Sequence, residues 1–346
     1  MKSLKNVTLA VLGCLVVCGA EPGDKDYIRE LQTKAIQAGK SEVGHWGTMP
    51  DKYIQWSSHS NRLIPVYTYG TLKAGAGISL GSYQGAKSPY RSEEAVKRIY
   101  GRLPEKALNP KAEYFDQTNL FDLQKEALKQ GKKHIFLVVF DGMDWQTTQA
   151  AAIYQQQKVS YTDGKGDGLH FQKYTAGGTS EFGYMVTSPH NEGTDVDVDE
   201  QKLKNPGGKI FGGYNVDRGG RFPWENAKDI PYLIAAPKED PTKQAYTDSS
   251  SSATSMTAGI KTYNNAVNVD ANGIQVPTIA HLAQEEGYAV GAVTSVPISH
   301  ATPAASYAHN VHRDDYQDLT RDLIGLPSIS HPDKPLPGLD VIIGSG

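Results

Sequence analysis

The sequence predicts an α/β fold, a mostly parallel sheet with helices on both faces, and three observations carry that expectation. Ile135–Phe140 is an unbroken apolar run, the pattern of a strand buried on both faces. Ala289–Thr294 repeats the pattern, and Asp340–Ile343 supplies a third run. Helical composition fills Trp145–Gln157, rich in Ala and Gln, and Thr278–Glu286. Strands alternating with helices imply parallel pairing through crossover connections. In such sheets ligands gather at the carboxyl ends of the strands, where Asp141, Ser295 and Gly344 should lie.

Taken in chain order, residues 1–20 read as a signal peptide rather than as part of the fold. Lys2 and Lys5 precede an apolar run from Val7 to Val17, and Cys18-Gly19-Ala20 follows. The run is shorter than the roughly 20 residues that cross a bilayer, so no transmembrane helix is expected. Small residues suit cleavage after Ala20, while Leu15-Val16-Val17-Cys18 loosely suits a bacterial lipoprotein signal with a lipid anchor on Cys18. Val17 is bulky for the second alternative. Both predict an exported protein, in the bacterial periplasm or at the cell surface. Cleavage after Ala20 removes Cys14 and Cys18, the two cysteines of the chain, and leaves carboxylate, imidazole and hydroxyl groups as metal ligands.

Residues 21–130 form a turn-rich N-terminal extension to which no role can be assigned. It holds polar and aromatic clusters such as His45-Trp46-Gly47 and helical stretches such as Ser92–Tyr100. The strand-and-helix grammar starts at residue 131 and defines a second region, 131–346. Across the chain 35 basic residues stand against 38 acidic ones, with a net charge of -3, which gives no electrostatic case for nucleic-acid-specific binding. A hydrophobic fraction of 38% excludes a disordered chain. Asp195, Asp197, Asp199 and Glu200 alternate with valines and read as a solvated edge strand, because the glycine and glutamate of a calcium-binding EF-hand loop are missing. His45, His59, His190 and His281 read as structural.

The most informative segment is Tyr246–Gly259, which contains Thr247-Asp248-Ser249-Ser250-Ser251-Ser252-Ala253-Thr254. Its side chains are almost all small. A helix starting within the serines would direct free backbone N–H groups at an anion, and a serine there can carry a phosphoryl group.

Thr247-Asp248-Ser249 followed by Ser252-Ala253-Thr254 resembles the active-site signature of the alkaline phosphatases, in which the serine after the aspartate is the nucleophile. Three further segments follow the order of that family between about His134 and Gly346. Phe140-Asp141-Gly142-Met143 is similar to its strand-end turn, where the resemblance implies that Asp141 bridges a zinc and a third metal; Asp144 stands where the family usually has glycine. His300-Ala301-Thr302-Pro303-Ala304 resembles the loop of the third metal, with His300 in place of a common aspartate and Thr302 as hydroxyl ligand. In Ala308-His309-Asn310-Val311-His312-Arg313, Arg313 falls where the family binds phosphate, and the resemblance has Asp248 orienting it. A guanidinium matches two phosphate oxygens as lysine cannot.

The resemblance therefore implies a three-layer α/β/α architecture and an exported, metal-dependent phosphatase. It would act on phosphate monoesters through a phosphoserine on Ser249, with Arg313 as the second catalytic residue. It also implies metal ligands Asp141, Ser249, His300 and Thr302, two Zn2+, and Mg2+ or another divalent ion at the third site, where a neutral imidazole makes the ion uncertain. A homodimer stays open. The family's remaining zinc ligands follow a strand like Leu339–Gly346, so the fold is expected to be incomplete at the C-terminus and this chain alone inactive. Two other readings stay open: a phosphodiesterase or phosphonate hydrolase of the same superfamily, and a non-catalytic phosphate-binding surface protein.

Overall fold

In a computed structural model, the structure describes residues 26–40, 62–225, 228, 232 and 247–345. The signal-like segment and its Cys18, together with His45 and His59, lie outside the described residues. No helix among the described residues is long and apolar enough to cross a membrane.

Helices and strands mix along the chain as the α/β reading requires. The elements are α1 (Tyr27–Ala38), β1 (Ile64–Tyr69), α2 (Glu93–Tyr100), β2 (Phe115–Asp116), α3 (Asn119–Lys129), α4 (Trp145–Gln156), α5 (His170–Lys173) and β3 (Ser180–Val186). There follow β4 (Asn191–Glu192), β5 (Asp195–Asp197), β6 (Lys202–Asn205), β7 (Gly208–Lys209), α6 (Val216–Gly219), α7 (Ser249–Ala258) and α8 (Ile279–Glu285). The last are β8 (Gly291–Pro297), α9 (Ala301–Ala304), α10 (Tyr316–Leu323) and β9 (Val341–Ser345).

The sheet differs from expectation. β1, β3 and β2 form a mixed sheet in that order, β4 pairs with β7 and β5 with β6, both antiparallel, and β8 pairs with β9 in parallel. A mostly parallel sheet is therefore not what the described residues form. Ile135–Phe140, expected as a buried strand, joins no ladder among them and is open to solvent, with Phe136 85% and Val138 70% exposed. The physical reason is missing cover: a parallel strand is stable when neighbours pair with it and both faces are packed. β8 and β9 share this condition, since Val293 is 72% and Ile343 59% exposed. The acidic run behaves as expected, with β5 pairing only β6 and Asp195 exposed.

Strands from both sides of residue 130 share one sheet, β1 and β2 lying on either edge of β3, so the two regions read from the sequence share a core. One core cluster joins Phe115 and Leu120 to Met256, Val267, Tyr307, Leu319 and Leu323. A second is built on tyrosines, Tyr90, Tyr100, Tyr114, Tyr184 and Tyr214. Their hydroxyls need partners when buried. Tyr90 donates to Asp116 at 2.6 Å, Tyr114 to the Tyr214 carbonyl at 3.1 Å, and Tyr90 and Tyr100 share a bond of 3.0 Å. Asp116 also pairs with Lys261 at 3.1 Å, both almost fully buried. Burial pushes the Lys261 ammonium pKa down against the pull of Asp116.

Candidate active site

The serine run becomes α7. Asp248 precedes it with extended backbone (φ -76, ψ 174) and accepts the Ser251 N–H on Oδ1 at 2.9 Å, an aspartate N-cap. The helix ends at Gly259 in left-handed geometry, φ 72, with the Phe121 ring so close that a Cβ there would lie 2.5 Å from it.

The Asp248 carboxylate is the centre of a local network. Ser251 Oγ donates to Oδ1 at 2.7 Å, and Ser250 Oγ to Oδ2 at 2.7 Å. Arg313 Nη1 donates to Oδ2 at 3.1 Å, and the Asp248 N–H reaches Asn264 Oδ1 at 3.0 Å. Burial pushes the Asp248 pKa up, but the bonds from Ser251, Ser250 and Arg313 outweigh it and hold the carboxyl below its ordinary value. Ser252 Oγ accepts from Gln117. Three of the four serine hydroxyls are thus engaged. Ser249, the first residue of the helix and half-buried, is the one whose hydroxyl has no protein partner among the described residues.

Asp141 sits at the corner of a turn. Met143 N–H bonds to the Phe140 carbonyl at 3.1 Å, and Gly142 at φ 73 supplies the positive angle that the third position of a type II turn requires. The following helix is capped by Asp144, not Asp141: Asp144 Oδ1 accepts from the Thr147 N–H at 2.8 Å, and its other oxygen binds Arg62. The residue that departs from the family pattern therefore serves as the cap of α4. Thr302, on α9, donates from Oγ1 to Asp141 Oδ2 at 3.1 Å, while His300, the N-cap residue of α9, stacks on Tyr316 with ring centroids 5.8 Å apart.

The structure thus brings the sequence-predicted residues together in two pairs, Arg313 with Asp248 beside Ser249, and Asp141 with Thr302. No hydrogen bond or ion pair among the described residues joins the two pairs. Asp141, Thr302 and His300 present two oxygens and a nitrogen near one loop, a donor set that suits a divalent cation.

One cluster has no counterpart in the sequence reading. His309, Asp322 and His331 place potential ligand atoms within 4.8 Å of one another. Their positions straddle a helix and a loop, and no spacing in the sequence announces them. Burial pushes the His309 imidazole down to about 4, and that of neighbouring His281 likewise to about 4 with help from His309 and His331.

Residues 219–346 match the sequence model of the alkaline phosphatase family. The chain is 38% identical over 107 residues to alkaline phosphatase 3 of Bacillus subtilis (strain 168), covering 31% of this chain and 22% of that protein. It is 35% identical over 133 residues to the tissue-nonspecific alkaline phosphatase of Gallus gallus, covering 34% and 25%. Among solved structures, alkaline phosphatase from the Antarctic bacterium TAB5 is 40% identical over 21% of this chain and 22% of that one, with a TM-score of 0.21. A TAB5 variant with Mg bound in its M3 site aligns at 37% identity, over 22% of each chain, with a TM-score of 0.22. These alignments cover at most about a quarter of each relative's length.

Proposed function

Because residues 219–346 match the sequence model of the alkaline phosphatase family, we propose that the chain is the phosphate-handling part of a metal-dependent phosphomonoesterase. The observation that carries this reading is the free hydroxyl of Ser249 at the start of α7, beside an arginine held by Asp248.

Ser249 Oγ attacks phosphorus, a Ser–O–P bond forms as the bond to the departing alcohol breaks, and the alcohol leaves with a proton. Water then cleaves the phosphoserine and releases inorganic phosphate. Arg313 offers its guanidinium N–H groups to two phosphoryl oxygens, and the unpaired N–H groups of the first turn of α7 add to the favourable field. Asp248 fixes Arg313 and occupies Ser250 and Ser251, so that one hydroxyl of the run stays available. Asp141, Thr302 and His300 would hold a divalent ion at the third site, with Asp141 and Ser249 contributing to a zinc. Such ions would favour the serine alkoxide and neutralise charge on the transferring group. On this reading residues 131–346 carry the chemistry and residues 62–130 pack against them.

The test compares single variants of the full-length protein given p-nitrophenyl phosphate and trapped by acid quench. Ser249→Ala should abolish the phosphoenzyme seen by mass spectrometry, whereas Ser250→Ala and Ser251→Ala should keep it. Labelled phosphate found on Ser250 or Ser251 would move the nucleophile. We also place the protein outside the cytoplasm, on the strength of residues 1–20. The mass of the mature N-terminus separates cleavage after Ala20 from lipidation at Cys18, and sedimentation reads whether the chain dimerises.

A further inference from the structure

Around Asp322 three potential ligand side chains meet, and one of their atoms, His309 Nδ1, is buried without a hydrogen-bond partner. Asp322, on α10, is fully buried, and His309, in the segment leading to Arg313, is 5% exposed. The His309 backbone N–H donates to Asp322 Oδ2 at 3.0 Å. Its ring Nε2–H faces the Val276 carbonyl at 2.8 Å, which fixes the tautomer and leaves a lone pair on Nδ1. That Nδ1 is buried and has no hydrogen-bond partner. His281, stacked on His309 at 5.2 Å and 12°, accepts the Thr278 N–H on Nδ1 at 3.0 Å, so its proton sits on Nε2, which is buried and makes no hydrogen bond to His309. His331 closes the third side: its Nδ1 lies 2.9 Å from Asp322 Oδ1, and its loop is pinned by Ser328 and Ser330, which bond to Asp322 and to the His309 carbonyl.

We propose that His309, Asp322 and His331 form a binding site for a zinc-class divalent cation that ties α10 and the 328–331 loop to the segment leading into Arg313. Two imidazoles and one carboxylate make a borderline donor set suited to Zn2+, with water able to complete the tetrahedron. The bond from His309 Nε2–H to a backbone carbonyl is the outer support by which ligand histidines are oriented. The cation would be shared by ligand atoms that lie within 4.8 Å of one another, and His309 Nδ1, left without a donor, is the nitrogen free to bind it. In the neutral His331 ring the proton moves from Nδ1 to Nε2 as Nδ1 turns to the ion, so no proton is lost and the bond to Asp322 is replaced by shared coordination. None of Asp141, Ser249, His300 or Thr302 takes part, so this site goes beyond the phosphatase reading and does not depend on it.

The experiment uses the full chain, stripped of metal and titrated with Co2+ alone. The expected result is one equivalent giving the intense visible spectrum of tetrahedral cobalt and displaced by Zn2+. The same band should appear in Asp141→Asn and be absent in His331→Gln with far-ultraviolet circular dichroism unchanged. His331 stands at the partly exposed edge of the site, which makes it a safer variant than buried His309. A wild-type chain without the band, an Asp141→Asn chain that loses it, or a His331→Gln chain that keeps it would overturn the assignment. Failure of the phosphatase reading would show instead as no phosphoenzyme with the cobalt band intact.

Discussion

The start of α7 and the apolar runs near β8 are both built from short, simple stretches of sequence, yet they end in opposite states. Around Ser249 almost every polar atom is engaged within a few residues: Asp248 caps the helix, the serines bond back to it, Ser255 Oγ donates to the Ser251 carbonyl, and Thr257 Oγ1 to the Ala253 carbonyl. In Ile135–Phe140, β8 and β9 most of the large apolar side chains face solvent, Ile342 being one that packs against the core. A helix with its own cap completes its hydrogen bonds locally. A strand completes nothing alone, and its apolar residues count only when other layers arrive.

Four measurements put that contrast to the test. The largest effect belongs to the buried pair behind α7: Lys261→Met leaves Asp116 charged and without its cation, and should cost about 3–5 kcal/mol in urea unfolding. Adding Asp116→Leu to the same chain should recover much of that loss. Next comes Asp248→Ala, which removes the cap and the acceptor for two hydroxyls and Arg313, with an expected loss of about 2 kcal/mol or more. At exposed positions the effect should shrink: Val138→Thr and Val293→Thr should change stability by no more than about 0.5 kcal/mol. A loss several times larger would mean that these runs are packed as core and would erase the contrast.

The fourth measurement is a pH slope. Burial pushes the Glu192 pKa from 4.5 up to about 7, so the folded chain favours its neutral form. The stability this group contributes is fully present below its unfolded pKa and is lost as pH rises through about 7. Glu192→Gln should flatten the fall in stability over that window, read from urea midpoints at successive pH values. An unchanged slope would assign the pH dependence to other groups.

What could be read from the sequence follows the same division. Helices α2, α4 and α8 lie within a residue or two of where composition placed them, because their signals are local. The start of α7 was legible for the same reason, since Asp248 sits immediately before the small residues it caps. Which of four identical hydroxyls stays free was not legible, because that depends on which of them turn back to Asp248 and on Gln117, far away in the chain, which engages Ser252. The pairing of β1 with β3 and the meeting of His309, Asp322 and His331 were hidden for a related reason: each joins segments whose neighbourhood is set by packing alone. Ile135–Phe140 was read as a strand from hydrophobicity, which measures a wish to be buried and not the presence of something to bury against.

The parallel pairing of β8 with β9 has a kinetic side. Val290 N–H bonds to the Asp340 carboxylate at 2.9 Å although the two lie 50 positions apart, with α9 and α10 between them. Closing so long a loop is an entropic cost met before any ladder bond rewards it. This pair should therefore register late during refolding, after the capped helices have formed, and leave valines and isoleucines of both strands available to other chains in the meantime. Refolding yield should then fall as protein concentration rises, and Val293→Lys, which puts a charge on one edge of the pair, should relieve that dependence.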